Sequence, residues 1–229
     1  MIFAGNFKTN HNRKTTRAYL NALAKRVVDR RDEDRVYIFP PLTALDKFNS
    51  EFTIGVQNAY PTTNGAFTGE VGLEQLSEFD IKTILIGHSE RREHLGESQS
   101  IVAQKFEFFK ENNFEIIYCI GEPIEIREQG DEAVVEYLLA QFEGIDISYE
   151  NLIVAYEPIW AIGTGRSATI EEITSTHKAL KLTVDRPILY GGSVKPENIK
   201  EITNIEGVDG VLVGSASLSA DSFAKMILG

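Results

Sequence analysis

The 229-residue chain has a single cysteine and carries fewer basic residues (23 Lys and Arg) than acidic ones (34 Asp and Glu). Cys119 alone cannot close an intrachain disulfide, which fits a reducing compartment, so a cytoplasmic location is expected. The net charge of −11 opposes binding to nucleic acid or to an anionic membrane surface. A small anion could still be held by local devices such as helix N-termini or one well-placed lysine. No apolar run approaches the roughly 18 residues that a membrane span needs. The opening Met1-Ile2-Phe3-Ala4-Gly5-Asn6 lacks the basic region and longer apolar run of a signal peptide, and it reads as a strand. A composition of 42% hydrophobic and 25% charged residues is that of a globule with a substantial core.

What is present is a repeating pattern. Short β-rich runs recur at Ile2 to Gly5, Val36 to Phe39, Ile54 to Gln57, Ile84 to Gly87, Ile116 to Ile120, Leu152 to Tyr156, Ile188 to Gly191 and Val211 to Gly214. Helical stripes lie between most of them: Leu20, Leu23, Ala24 and Val27; then Ile101, Val102, Lys105, Phe106 and Phe109; then Val134, Val135, Leu138, Leu139 and Phe142. Thr169 to Glu172 matches a capping box that opens a helix with Ile170, Ile173, His177 and Leu180 on its inner face. Pro196 suits the first turn of another helix. Strand and helix alternating eight times predict an α/β fold, a closed eight-stranded parallel (β/α)8 barrel. No linker, low-complexity tract or charge block divides the chain, so one domain over residues 1–229 is expected.

Barrel active sites lie at the carboxyl ends of the strands, so the residue closing each strand matters most. The sixth strand runs straight into Glu157, which Pro158 forces into an extended conformation. A carboxylate there sits half out of water, where it can serve as a base; a buried structural glutamate before a turn is the plainer alternative. The following residues Pro158, Ile159, Trp160, Ala161, Ile162, Gly163, Thr164 and Gly165 combine large apolar groups with a glycine-rich hinge, the make-up of a lid that excludes water. Strand one delivers Asn6 and Lys8, an amide and a cation, although either alone is commonly a turn residue or a solvated lysine. Strand four delivers His88 ahead of a short polar helix whose N-terminus disfavours imidazolium, so a neutral His88 is expected; a lone core histidine is the alternative. His11, His94 and His177 fall outside strand ends and read as surface or helix-packing residues. Strands seven and eight deliver Gly191-Gly192-Ser193 and Gly214-Ser215, two turns rich in backbone donors of the kind that hold phosphate in such barrels. Gly163 of the lid could add a third N–H. Cys119 reads as a small buried hydrophobe. Residues 58–70 form a long connection without regular structure, in which Phe67 and Thr68 stand among small residues suited to docking.

Taken in order, Gly5-Asn6-Phe7-Lys8, Gly65-Ala66-Phe67-Thr68-Gly69-Glu70, Gly87-His88-Ser89-Glu90-Arg91-Arg92, Cys119-Ile120-Gly121-Glu122, the run from Tyr156 to Gly165, and Tyr190-Gly191-Gly192-Ser193-Val194 resemble the triosephosphate isomerase family from end to end. Phe7 stands where the family usually has Trp, Arg166 where Lys is common, and Ser215 replaces the second of a usual glycine pair. The chain is shorter than the roughly 250 residues typical of the fold, largely between Thr169 and Pro187. The resemblance implies interconversion of dihydroxyacetone phosphate and glyceraldehyde 3-phosphate, in glycolysis and gluconeogenesis, with no cofactor and no metal. It implies Glu157 as the base, His88 as a neutral electrophile, Lys8 as the countercharge and Asn6 as a substrate anchor; the glutamate–histidine pairing is a known property of the family. Gly163, Ser193, Gly214 and Ser215 would hold the phosphate beneath the lid. It further implies a homodimer in which the 58–70 loop, with Phe67 and Thr68, enters the neighbouring subunit. Two alternatives come from the residues alone. A metal-dependent sugar-phosphate epimerase would want several His and Asp ligands at strand ends, where only His88 stands. A catalytically inactive binding barrel would have no need of Glu157, His88 and Lys8 together.

Overall fold

The computed structural model describes residues 1–162 and 166–229. Eight parallel strands alternate with helices: β1 (Ile2–Asn6), β2 (Arg35–Phe39), β3 (Thr53–Ile54), β4 (Thr83–Ile86), β5 (Glu115–Ile120), β6 (Leu152–Tyr156), β7 (Ile188–Tyr190) and β8 (Gly210–Val213). The ladder runs β3-β2-β1-β8-β7-β6-β5-β4. It closes between β3 and β4, where the Val56 N–H donates to the Thr83 carbonyl and the Leu85 N–H to the Val56 carbonyl, each at 2.9 Å. The result is the expected (β/α)8 barrel. Seven strands occupy the expected runs to within a residue or two; the third is shorter than the expected Ile54–Gln57. The Phe39 ring lies over Gly55, so close that a Cβ there would meet it at 2.3 Å, and Val56 joins only through a bridge to Ile84.

Period-two alternation divides the strand residues between two cores. Ile2, Ala4, Tyr37, Phe39, Leu85, Ile117, Cys119, Ile153, Ala155, Leu189 and Leu212 pack together inside the barrel. Their neighbours, among them Phe3, Val36, Ile38, Ile116, Tyr118, Val154 and Tyr156, pack outward against the helices. Cys119 is fully buried in the inner core, as its reading as a small hydrophobe requires.

The helices start where their caps dictate. Asn12 caps Arg13–Arg26, Ser98 caps Gln99–Glu111, and Thr169 with Glu172 forms the expected capping box of Ile170–Lys181. The stripes need two corrections: Ile101 and Ile170 are exposed, because both sit in the first turn of their helices, beyond the barrel wall. The helix expected at Pro196 begins later, at Ile199. The Asn198 side chain accepts the Lys195 N–H at 2.8 Å, which makes Pro196 part of the turn leading in.

Candidate active site

Counting on by twos from the inward-facing residues reaches the barrel mouth at Asn6, Gly87, Gly121, Glu157, Gly191 and Gly214. Glycine recurs because a side chain would collide with its neighbours. A Cβ on Gly191 would lie 2.8 Å from Glu157 Cγ, and one on Gly214 would lie 3.3 Å from Lys8 Cε. Space is thereby kept for a cavity of about 580 Å³, lined by Asn6, Lys8, His88, Glu157, Ser193, Gly214 and Ser215. Of the residues expected at the site, the structure brings these seven, and Ile162 of the lid, to one opening. Gly163, Thr164 and Gly165 lie outside the described residues.

Glu157 is 2% exposed. One oxygen accepts the Ser89 N–H at 3.2 Å, and the other lies 3.1 Å from His88 Nε2. Burial pushes the Glu157 pKa up, but the imidazole, the Ser89 N–H and the Lys8 charge outweigh it and leave the pKa below its ordinary value. His88 caps the helix Ser89–Leu95 and accepts the Glu90 N–H on Nδ1 at 3.3 Å, so Nε2 is the nitrogen that faces Glu157 with a proton. Burial and Lys8 oppose a charge on His88. The Glu157 carboxylate overrides them and raises the His88 pKa above its ordinary value. The direction of this shift is opposite to the one expected from the helix N-terminus alone. The residues are distant in sequence, and only the fold puts the carboxylate against the ring.

Lys8 adopts φ 51°, in the left-handed region. Its backbone is held on both sides: Asn6 Oδ1 accepts its N–H at 3.0 Å, and Gln57 Nε2 donates to its carbonyl at 2.8 Å. The ammonium lies 2.5 Å from Glu90 and lines the cavity. The phosphate-type features face it. A 3-10 turn spans Ser215–Ser217, and the first N–H groups of such a turn have no partner inside it. Ser193 stands in the turn after β7. Of the lid, Ile159–Ala161 forms another 3-10 turn, and the Trp160 indole N–H donates to the buried Glu122 at 3.0 Å.

Sequence reasoning missed four contributors: Gln57, Ser89, Glu90 and His11. The first three act through contacts between distant strand ends, which leave no local pattern. His11 could have been noticed, because it follows the strand-one motif by three residues. Its Nε2 donates to the carbonyl of Leu218, which lines the cavity.

A buried glutamate, an imidazole and an ammonium, grouped at the mouth of a parallel barrel beside donor-rich turns, define an enzyme that moves protons on a small anionic substrate. Comparison with known proteins is specific. The chain belongs to the triosephosphate isomerase family, whose model matches residues 1–228. It is 69% identical over 227 residues to the triosephosphate isomerase of Sulfurovum sp., covering 99% of both chains. It is also 55% identical over 229 residues to that of Wolinella succinogenes, again over 99% of both. Against the Sulfurimonas denitrificans enzyme it is 52% identical over 226 residues, 99% of this chain and 94% of the relative.

Proposed function

We propose that the whole chain, residues 1–229, is one catalytic barrel that interconverts dihydroxyacetone phosphate and D-glyceraldehyde 3-phosphate through an enediolate. The observation that carries the reading is the direct contact of Glu157 with His88 inside a cavity that also holds Lys8. A substrate carbonyl oxygen placed at His88 Nε2 takes over the proton now shared with Glu157. Each residue then loses the partner that shifted its pKa. Burial takes over, raising Glu157 toward a stronger base and returning His88 to the neutral form. Glu157 removes the proton α to the carbonyl and returns it to the neighbouring carbon. His88 donates a hydrogen bond to the developing oxyanion, Lys8 offsets its charge, and Asn6 orients the substrate. Ser193, Gly214 and Ser215, with Gly163, hold the phosphate, and residues 158–165 cover it.

The reading extends to a cytoplasmic enzyme of glycolysis and gluconeogenesis that works as a homodimer. Among the described residues, no helix is long and apolar enough to cross a membrane. Residues 63–70 are exposed throughout, yet their loop is anchored at its base. The Tyr60 N–H donates to the Val71 carbonyl at 2.8 Å, and the buried Lys105 ammonium bonds Asn58 Oδ1 at 2.6 Å. Phe67 packs on Tyr60 at 4.5 Å between ring centres and remains 42% exposed, the state of a residue built to enter another surface. In the dimer it and Thr68 would sit beside Lys8 and His88 of the neighbour.

A coupled assay with glyceraldehyde 3-phosphate tests the activity. Glu157→Gln keeps the shape and removes the proton acceptor, so turnover falls by at least roughly 10²–10⁴-fold while binding of a phosphate-bearing inhibitor persists. Near-native turnover in that variant would show that another group is the base.

A further inference from the structure

Among the described residues, four that are not glycine have positive φ, and two of them, Lys8 and His11, stand three apart in the loop after β1. Histidine enters that region more readily than most side chains, yet a non-glycine residue held there still needs surroundings that fix it, and such positions cluster at functional sites. His11 has φ 66° and three sets of fixing contacts. Its ring packs against Phe7 at 4.7 Å and Tyr19 at 5.7 Å between centroids. Nδ1 lies 3.3 Å from the Thr15 hydroxyl. Nε2 lies 3.1 Å from the Leu218 carbonyl, and since a carbonyl only accepts, Nε2 is the donor.

Leu218 caps the Ser215–Ser217 turn. The start of that turn already meets the same loop, because the Lys8 stem lies against Gly214, while its last residue packs on β1, with Ser217 Cβ 3.2 Å from where a side chain on Gly5 would begin. The Ser217 hydroxyl closes the turn by donating to the Gly214 carbonyl at 2.7 Å. The loop that carries Lys8 therefore holds the turn at both ends, by the Lys8 stem at Gly214 and by His11 at Leu218, and among the described residues the His11–Leu218 hydrogen bond is the one polar contact between that loop and the far end.

We propose that His11 is a positioning residue for phosphate binding: it fixes the donor-rich Ser215–Ser217 turn against the loop that carries Lys8, so that the backbone N–H groups that hold the phosphate stand at a set spacing from the Lys8 cation. The proposal rests on the reading of Gly214 and Ser215 as phosphate ligands.

The test is steady-state kinetics with glyceraldehyde 3-phosphate, together with the inhibition constant of inorganic phosphate and a thermal melt. His11→Gly and His11→Asn both tolerate the backbone conformation and lose the reach to Leu218. KM and the phosphate inhibition constant should rise together by about three- to tenfold, the scale of one hydrogen bond. Turnover should stay within about twofold, with a melting midpoint no lower than that of the parent by more than a few degrees. His11→Gln keeps an N–H at similar reach and should recover most of the loss. Unchanged constants in the Gly and Asn variants, a fall of turnover in step with the melting midpoint, or a Gln variant as impaired as the Gly one would each overturn the proposal. Ser215→Pro, which deletes one N–H at the first position of the turn, separates the two layers. If it raises KM while the His11 variants do not, the brace alone is wrong. If it leaves KM unchanged, the phosphate assignment fails and the brace with it.

Discussion

Acid should loosen this barrel through a histidine that takes no part in the chemistry. His177 is completely buried on the inner face of the helix Ile170–Lys181. Its Nδ1 donates to the Gly207 carbonyl at 3.1 Å, and its Nε2 has no partner among the described residues. The ring packs against Tyr156 and Tyr190, at 5.7 and 6.3 Å between centroids, and Tyr156 is the residue that precedes Glu157. Charging the ring would leave an unpaired N–H⁺ in the core, and burial accordingly pushes the His177 pKa from 6.5 down to about 4. The folded state thus binds fewer protons than the unfolded chain below pH 6.5. The stability this group supports is complete above pH 6.5 and is lost as pH falls toward 4. A gap of about 2.5 units at about 1.4 kcal/mol each amounts to roughly 3 kcal/mol. That is a large share of the 5–15 kcal/mol typical of a domain.

The assay is urea unfolding at fixed protein concentration, from pH 7.5 to 4, on the parent and on His177→Gln. The variant keeps an N–H for Gly207 but cannot titrate. It should be less stable at pH 7, where the parent's packing is intact, and the two stability curves should converge by about 3 kcal/mol on going to pH 4. Other groups titrate in the same range. Glu157, with its lowered pKa, supports stability that disappears at still lower pH, and His88, with its raised pKa, supports stability that fades as pH rises past it. Both are common to the two proteins and cancel in the difference. Parallel curves would refute the argument.

The remaining expectations concern the site. Nitrogen NMR of His88 should give a midpoint above 6.5 in the unliganded enzyme, falling when Glu157→Gln removes the carboxylate or an inhibitor takes its place; equal midpoints in all three states would show that the contact is not what shifts it. Ser215→Gly should change KM by less than about tenfold, or 1.4 kcal/mol, because the turn's N–H survives; a larger loss would make the hydroxyl itself a principal ligand. Shortening Tyr60 to Phe67 to a short glycine turn should yield a weakly active monomer, read from mass in solution and turnover on one sample, whereas a fully active monomer would refute the assembly.

Much of this was legible in the residues because the barrel obeys a simple period. The apolar runs located all eight strands, and the rule that chemistry sits at strand ends picked out Asn6, His88, Glu157, Ser193 and Gly214 without any contact being known. The failures have physical causes. β3 ends early because a ring from the adjacent strand covers Gly55, a tertiary fact with no local trace. Pro196 fits a first helical turn equally well as the preceding turn, and the Asn198 side chain decides between them. The direction of the His88 shift has no local trace, because the helix that opposes a charge follows the ring in sequence, whereas the decisive carboxylate arrives from the end of β6. His11 reads as a surface residue because neither its left-handed backbone nor its contact with Leu218 leaves a local trace in the sequence.

The glycines at the mouth explain why so few side chains suffice for a reaction. A parallel barrel fills its own interior with the inward residues of each strand, so a cavity can exist only where that filling stops. Here it stops abruptly: Leu85, Cys119, Leu189 and Leu212 are each followed, two residues on, by glycine. On β6 the same position carries a glutamate, and on β1 an asparagine. Glu157 is consequently buried, which raises its proton affinity, while the His88 ring, the Ser89 N–H and the Lys8 charge lower it. The ammonium of Lys8 reaches the same space by passing over Gly214, where any larger residue would stand in its path. A buried carboxylate seated against an imidazole at the end of β6, with the space beside it kept by glycine, follows from this arrangement of strand ends.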